Sequence, residues 1–462
     1  HLPNTLRIPS FELSRITKFA YIYISFLVFI YFAHLALEQY PEVENTFDHE
    51  KEIYFVNALG GGIAFHISSV LLRMYPPVFV VIKALTPKDY RFRTFNRVFW
   101  KNHFYAPGKL VAMTCFTSNS IDTYRIAQEF RKRGSKVIIG GPHVTYFPDE
   151  ALEYCDSVVC GELESVWPDV IRDYENGTLQ PKYAGTPVEN CHAMVHQELL
   201  NSPPEIIKDF LETSRGCKFK CYFCTVPSLS QGNLRKQKIS DFVELLKKVK
   251  EKYPHVIFID NNIYSDPAYT KELFLALKPL GIKWSTQCSI DIAKNKELLR
   301  LAKESGCTCL LFGFEISEGS FEKAQGGKLA LVDHYREYAR EVKKMGIMIK
   351  AHYIFGFESD TFKYLWRFWK FCFAINPFAT ALSILTPFPG SQFYYDSVKG
   401  DRIANLNWRH YGSQTLVFNH PHMNNFILAR VYPFIFLFFL FTTSKLGYVL
   451  LFLAIINIIG II

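Results

Sequence analysis

Apolar and polar positions in this chain sort into two successive series of short apolar runs, with helically spaced stretches between them. In the first series, runs at residues 53–57, 77–82, 110–115, 136–139 and 157–159 predict strands, and stripes at 63–74 and 120–133 predict helices. Strands alternating with helices predict a parallel sheet covered on both faces. Ligands of such sheets sit beyond the carboxyl ends of the strands, where Gly60-Gly61-Gly62 and Gly140-Gly141-Pro142-His143 fall. A linker is predicted at 186–206, marked by Pro187, Pro203 and Pro204. The second series follows, with strands at 210–213, 256–259, 283–287, 309–314, 348–354 and 380–385 and helices between them, 239–252 and 294–305 among them. Six strand–helix units fall short of the eight that close a barrel, so a partial barrel is predicted.

The two ends break this pattern. Residues 19–37 carry no formal charge, long enough to cross a bilayer core at about 1.5 Å per residue. Residues 431–444 and 446–462 are nearly all apolar, interrupted by Pro433, Lys445 and Gly447, and fit two short passes or one re-entrant hairpin. Arg7, Arg15 and Lys18 precede the first segment while Glu38, Glu42 and Glu44 follow it, so a plain span would place the remainder of the chain outside. A helix lying in the membrane interface, or paired with the C-terminal hairpin, avoids that contradiction. The opposing reading is a pair of aromatic helices packed on a soluble core. Membrane association is the preferred expectation.

Composition narrows the class. A chain of 462 residues is too long for one ordinary core, so two domains plus appendages are expected. Its 11 cysteines lack the regular spacing of a disulfide framework. The net charge of +9 is spread along the chain rather than gathered into a basic arm, which gives no nucleic-acid footprint.

The most informative chemistry is Ser214-Arg215-Gly216-Cys217-Lys218-Phe219-Lys220-Cys221-Tyr222-Phe223-Cys224. The loop is too polar for three buried structural cysteines, and a zinc site would need a fourth ligand nearby, whereas the next downstream cysteine is Cys288. Three thiolates suit a four-iron cluster with one iron left open to a small-molecule ligand. Polar or glycine-rich endings recur along the same rim: Asp260-Asn261-Asn262, Gly313-Phe314-Glu315, Gly356, and Thr386-Pro387-Phe388-Pro389-Gly390.

The cysteine motif resembles the signature of radical S-adenosylmethionine enzymes, and the region from Val56 to Met423 resembles their subgroup with an N-terminal cobalamin-binding-like domain. The resemblance implies a Rossmann-like domain at 51–185, the linker at 186–206, a partial (β/α)6 barrel at 207–400, an extension at 401–425, and hydrophobic membrane-associated segments at 1–50 and 426–462. It implies a 4Fe-4S cluster on Cys217, Cys221 and Cys224. S-adenosylmethionine would lie near Asp260, Asn261, Asn262, Glu315 and Gly356, with Phe223 toward its adenine. The loop Gly356-Phe357-Glu358-Ser359-Asp360-Thr361 departs from the related G-L-P-G-E-T at Glu358 and Asp360, whereas Trp408-Arg409-His410-Tyr411-Gly412 matches the subgroup more closely. A corrinoid would sit on Thr114, Gly140, Gly141, Pro142, Gly161 and Glu162. The D-x-H-x-x-G sequence that supplies a cobalt-ligating histidine is missing, which leaves two readings: cobalamin held without a protein ligand to the metal, or the fold kept with no corrinoid.

The implied activity is reductive cleavage of S-adenosylmethionine to a 5′-deoxyadenosyl radical, followed by methylation, coupling or cyclisation at an unactivated carbon. The hydrophobic ends suggest a lipid, polyprenoid or tetrapyrrole substrate, as for hopanoid methylases and the anaerobic protoporphyrin ester cyclase. Expected partners are that substrate, a membrane surface and a reductant such as ferredoxin or flavodoxin. A reducing compartment implies the cytoplasmic side of the membrane and argues against a cleaved export signal. The rival class is a membrane-tethered cluster protein that binds or senses without turnover.

Overall fold

The structure is a computed structural model that describes residues 51–58, 76–98, 107–316 and 327–445. The glycine turn at Gly60-Gly61-Gly62, the helix expected at 63–74, the apolar segment 19–37 and the tail 446–462 lie outside the described residues.

Six parallel strands form the first sheet: β1 (Glu52–Ala58), β2 (Arg91–Val98), β3 (Leu110–Thr114), β4 (Lys136–Gly140), β5 (Ser157–Cys160) and β6 (Lys182–Ala184), in the order β2-β1-β3-β4-β5-β6. Strand side chains alternate between faces, and the core divides accordingly. Tyr54, Val56, Val111, Met113, Val137 and Ile139 pack with Tyr124, Ala127 and Phe130 of α2 (Ser120–Lys132). Ile53, Phe55, Leu110, Ala112 and Ile138 pack on the other side with Phe79 and Ile82 of α1 (Pro77–Leu85) and with Trp167, Val170 and Ile171 of α3 (Trp167–Glu175). Each fully buried Phe or Ile contributes about 1.5–3 kcal/mol.

The run at 77–82, expected as a strand, is helix α1. Phe79 and Ile82 enter the core of the first sheet while Val80 and Val81 enter the core of the barrel. A helix buried on two sides is apolar all round, and its short run then lacks the period that separates helix from strand. Residues 186–206, expected as a linker, carry α4 (Cys191–Asn201) and a short helix, Pro204–Ile207, with Val195, Leu199 and Ile207 in the barrel core.

In the second half, β7 (Ser214–Arg215) pairs antiparallel with β8 (Arg235–Lys236) beside the main sheet. That sheet curls through five parallel strands, β9 (His255–Ile257), β10 (Lys283–Cys288), β11 (Cys307–Glu315), β12 (Met348–Phe355) and β13 (Ala379–Ile384), in the order β13-β12-β11-β10-β9. The first expected barrel strand, 210–213, is not a sheet strand. Leu211 O accepts Ile259 N at 2.9 Å, which sets the segment beside the β9 edge. Helices α5 (Ile239–Lys250), α6 (Pro267–Leu277), α7 (Lys296–Glu304), α8 (Tyr335–Lys344) and α9 (Phe362–Ile375) fall between these elements and pack on the outside. Asp266, Asn295 and Thr361 cap α6, α7 and α9 by accepting backbone N–H groups of the first turn.

The chain ends its described course in α10 (Gln392–Lys399) and α11 (Asn425–Thr443). Tyr432 donates to Leu382 O at 2.8 Å, Thr443 bonds Thr380 at 3.1 Å, and Phe439 meets Phe368 at 5.5 Å, so α11 covers the edge strand β13. Much of the apolar run 431–444 is thereby committed to the barrel. Its two halves, Asn425–Tyr432 and Phe434–Thr443, are inclined by 45°, and among the described residues no single helix is long and apolar enough to cross a membrane.

Candidate functional site

The three cysteines occupy a loop pinned from below. Asp260, fully buried after β9, accepts from Thr213 N and Oγ1 at 3.1 and 2.5 Å and from Ser214 N and Oγ at 2.7 and 2.8 Å. Burial pushes its carboxyl up to about 6 against these four donors. Gly216 then turns the chain at φ +111°, where a Cβ would stand 2.5 Å from Asn233 O. Asn261 Oδ1 receives Gly216 N at 3.2 Å; Asn262 Oδ1 receives Ser289 N at 2.8 Å, and its Nδ2 reaches Cys217 Sγ at 3.8 Å. Asp260, Asn261 and Asn262 thus brace the loop, and the Asp260 carboxylate, expected toward S-adenosylmethionine, is occupied by the chain's own hydroxyl and N–H groups.

Cys224 N bonds Cys221 O at 3.0 Å, closing a tight turn between those two cysteines. Burial pushes the Cys221 thiol up to about 11, opposed by the nearby Lys328 ammonium and reinforced by Cys224, Glu315 and Cys217. The same burial raises Cys224. Among the described residues no three His, Cys, Asp or Glu side chains are set closely enough for one metal ion.

Glu315 ends β11 with φ +64°, a strained value for a side-chain-bearing residue. Its Oε1 pairs with Lys328, while its Oε2 is buried with no hydrogen-bond partner among the described residues. Gly313 lies beneath this pair, and a Cβ there would stand 2.2 Å from Glu315 Oε1 and 2.6 Å from Lys328 Nζ, so a side chain would displace the two charged tips. Burial works against the Lys328 charge, yet Glu315, Cys221 and Cys224 hold its pKa above the usual lysine value. The orphaned oxygen beside the thiols is an acceptor for an ammonium or hydroxyl, as S-adenosylmethionine carries. Phe223 lies 6.0 Å from the Phe357 ring with Lys328 Nζ 5.8 Å above it. Gly356 N and Phe357 N both donate to Asp360, so Asp360 shapes this turn in place of the related glutamate.

Thr114, Gly140, Gly141, Pro142, Gly161 and Glu162 all line one cavity of about 460 Å³ at the carboxyl edge of the first sheet, bounded toward the barrel by Glu212 and Arg215. Gly141 and Gly161 have positive φ and lie against backbone, with Cβ positions 2.7 Å from Cys115 O and 2.2 Å from Gly185 O. His143 does not line the cavity. It is fully buried between Thr117 Oγ1 at 3.3 Å and Glu150 Oε1 at 3.4 Å, with the Trp408 ring at 5.1 Å.

Sequence reasoning missed the groups that join the two halves. Glu162 receives both terminal nitrogens of Arg235 in a fork, and Glu164 pairs with Arg215 at 2.7 Å. Arg215 also pairs with Glu212 at 3.1 Å, and Glu212 with His192 at 3.0 Å. Trp408 donates to Glu150, Arg409 pairs with Asp122, and Tyr146 bonds Ser228 at 2.8 Å while its ring lies over Gly390. Glu162 and Arg215 stand among residues already singled out; nothing in the spacing shows that they face Arg235 and Glu164.

Residues 211–372 match the model of the radical SAM superfamily. The chain is 29% identical over 321 residues to bacteriochlorophyllide d C-12(1)-methyltransferase of Chlorobaculum tepidum, covering 67% of this chain and 70% of the relative. It is 26% identical to the C-8(2)-methyltransferase of the same organism, over 73% of this chain and 79% of the relative. Among solved structures, TsrM of Kitasatospora setae, a radical S-adenosylmethionine methyltransferase with cobalamin and a [4Fe-4S] cluster bound, superposes with a TM-score of 0.59 at 13% identity, over 76% of this chain and 75% of TsrM.

Proposed function

Because this chain is a radical S-adenosylmethionine enzyme with a cobalamin-binding-like first domain, we propose that it is a cobalamin-dependent C-methyltransferase acting on an unactivated carbon of a hydrophobic ring system, foremost a tetrapyrrole. When bound, the cluster with S-adenosylmethionine supplies a 5′-deoxyadenosyl radical and the corrinoid a transferable methyl group. One observation carries the reading: the six residues expected to hold a corrinoid line a single cavity whose lining also includes Arg215, two residues before Cys217. Cys217, Cys221 and Cys224 would hold the cluster, the Asp260 to Asn262 segment fixes the loop, and Glu315 Oε2 would accept from S-adenosylmethionine when it is bound. Since His143 is committed elsewhere, cobalamin would be held without a protein ligand to its metal. A low-potential ferredoxin or flavodoxin is the expected electron donor. The tetrapyrrole assignment draws support from the two bacteriochlorophyllide methyltransferases.

Protein reconstituted anaerobically with iron, sulfide and hydroxocobalamin should retain corrinoid, and His143→Gln should retain as much as wild type. With a chemical reductant, methyl-labelled S-adenosylmethionine and a bacteriochlorophyllide, label should enter the macrocycle with release of 5′-deoxyadenosine and S-adenosylhomocysteine. Cys221→Ala should abolish both products. Release of 5′-deoxyadenosine together with an unlabelled coupled or cyclised macrocycle, from protein that retains no corrinoid, would instead assign coupling or cyclisation.

A further inference from the structure

Away from the site, the described surface exposes a group of aromatic side chains on two neighbouring helices. The inner side of α9 puts Phe368, Phe371 and Ile375 into the barrel core. Its outer side exposes Phe362, Trp366 and Phe373, the last two by 55% and 50%, and neighbouring α11 exposes Phe426 by 66% and Phe438 by 46%. The rings join across both helices: Trp366 to Trp369 at 4.7 Å, Trp369 to Phe373 at 5.5 Å and Trp369 to Phe438 at 5.8 Å, with Trp369 Nε1 donating to Thr442 at 2.8 Å. Soluble surfaces rarely leave such a patch open without a partner for it.

The charges around the patch say which partner fits. Lys363, Arg367 and Lys370 on α9, Arg430 on α11 and Lys445 just beyond it are all exposed, and neither helix contains an aspartate or glutamate. Lys370 Nζ sits 5.2 Å over Trp366 on α9, and the Arg430 guanidinium 3.4 Å over Phe426 on α11, so on each helix an exposed cation lies against an exposed ring. Tryptophan and phenylalanine rimmed by lysine and arginine are the composition of a helix lying in a bilayer interface. A second copy is the poorer occupant, because a two-fold contact through this face would set like charges against one another. After Lys445 the chain continues through residues 446–462 with no charged side chain.

We propose that the outer faces of α9 and α11 form a monotopic docking surface for an anionic phospholipid bilayer, with the rings in the acyl boundary and the cations among the headgroups. α11 does not span, because Leu428, Tyr432 and Phe439 belong to the barrel core. Such a surface would let the enzyme collect a substrate that partitions into lipid.

The test is flotation of the full reconstituted chain with equimolar phosphatidylglycerol and phosphatidylcholine vesicles. Wild type should float with the vesicles. The double variant Trp366→Ser with Phe373→Ser, and the triple variant Lys363→Glu, Arg367→Glu, Lys370→Glu, should each bind about tenfold more weakly or worse. Reductive cleavage of S-adenosylmethionine should be unchanged in both, which shows that they fold. Truncation before Leu446 should leave flotation sensitive to the same substitutions. Failure of wild type to float overturns the proposal, as does equal flotation of wild type and both variants. A lipid-free dimer that the double variant abolishes overturns it also, by assigning the face to a second copy.

Discussion

Gly216 bears the sharpest steric demand in the cluster loop, since both its φ of +111° and its approach to Asn233 O exclude a side chain. Gly216→Ala should cost about 1–3 kcal/mol in strain and lower the iron and acid-labile sulfide bound per chain. His192 responds to pH. Burial opposes its charge, but Cys191 and Glu212 outweigh burial and raise its pKa from 6.5 to about 9. A folded value above the free value means stabilisation that is complete below pH 6.5 and fades as pH rises through about 9, about 3 kcal/mol in all. The gap in unfolding free energy between wild type and His192→Gln should therefore close from pH 6.5 to 9.5, as denaturant melts would show.

Among elements, the turn before α10 matters most for contact between the halves. Gly390 has φ +91°, and a Cβ there would lie 2.1 Å from the Tyr146 ring. Gly390→Ala should lower the thermal midpoint by several degrees, about 1–3 kcal/mol, and Tyr146→Ala in the same chain should recover part of that loss, leaving the backbone strain. Helix α1 teaches a different lesson. Its apolar run reads as a strand because two cores claim opposite sides of it, and periodicity reports one buried face only. The stretch at 186–206 misleads for a related reason: its prolines mark helix starts and turns as readily as a linker.

For the whole molecule, the ion network of Glu162, Glu164, Arg215, Arg235 and Glu212 couples the cavity of the first domain to the strand pair that leads into the cluster loop. Arg235→Gln removes the fork from Glu162, whose side chain is largely buried, and should cost about 3–5 kcal/mol of stability, whereas Glu162→Gln combined with Arg235→Met should cost less. If the cavity holds the corrinoid, Arg235→Gln should also lower methyl transfer more than 5′-deoxyadenosine release. The ratio of the two products, measured by chromatography, checks this.

Most of the strand–helix alternation and the partial barrel were readable in the chain because each rests on local spacing, period two for strands and glycine or polar endings for the rim, and the x3 and x2 spacing marked Cys217, Cys221 and Cys224 as the candidate cluster site; β2 and the helical α1 were not. Lys328, the Arg215–Glu164 and Arg235–Glu162 pairs, and the clamp of His143 by Glu150 and Trp408 were not, since each joins residues from separate elements and depends on how two cores pack. The same holds for the apolar run at 431–444. Its composition allows a bilayer or a protein neighbour equally, and the tertiary structure assigned one side to β13 because an open edge strand needs cover.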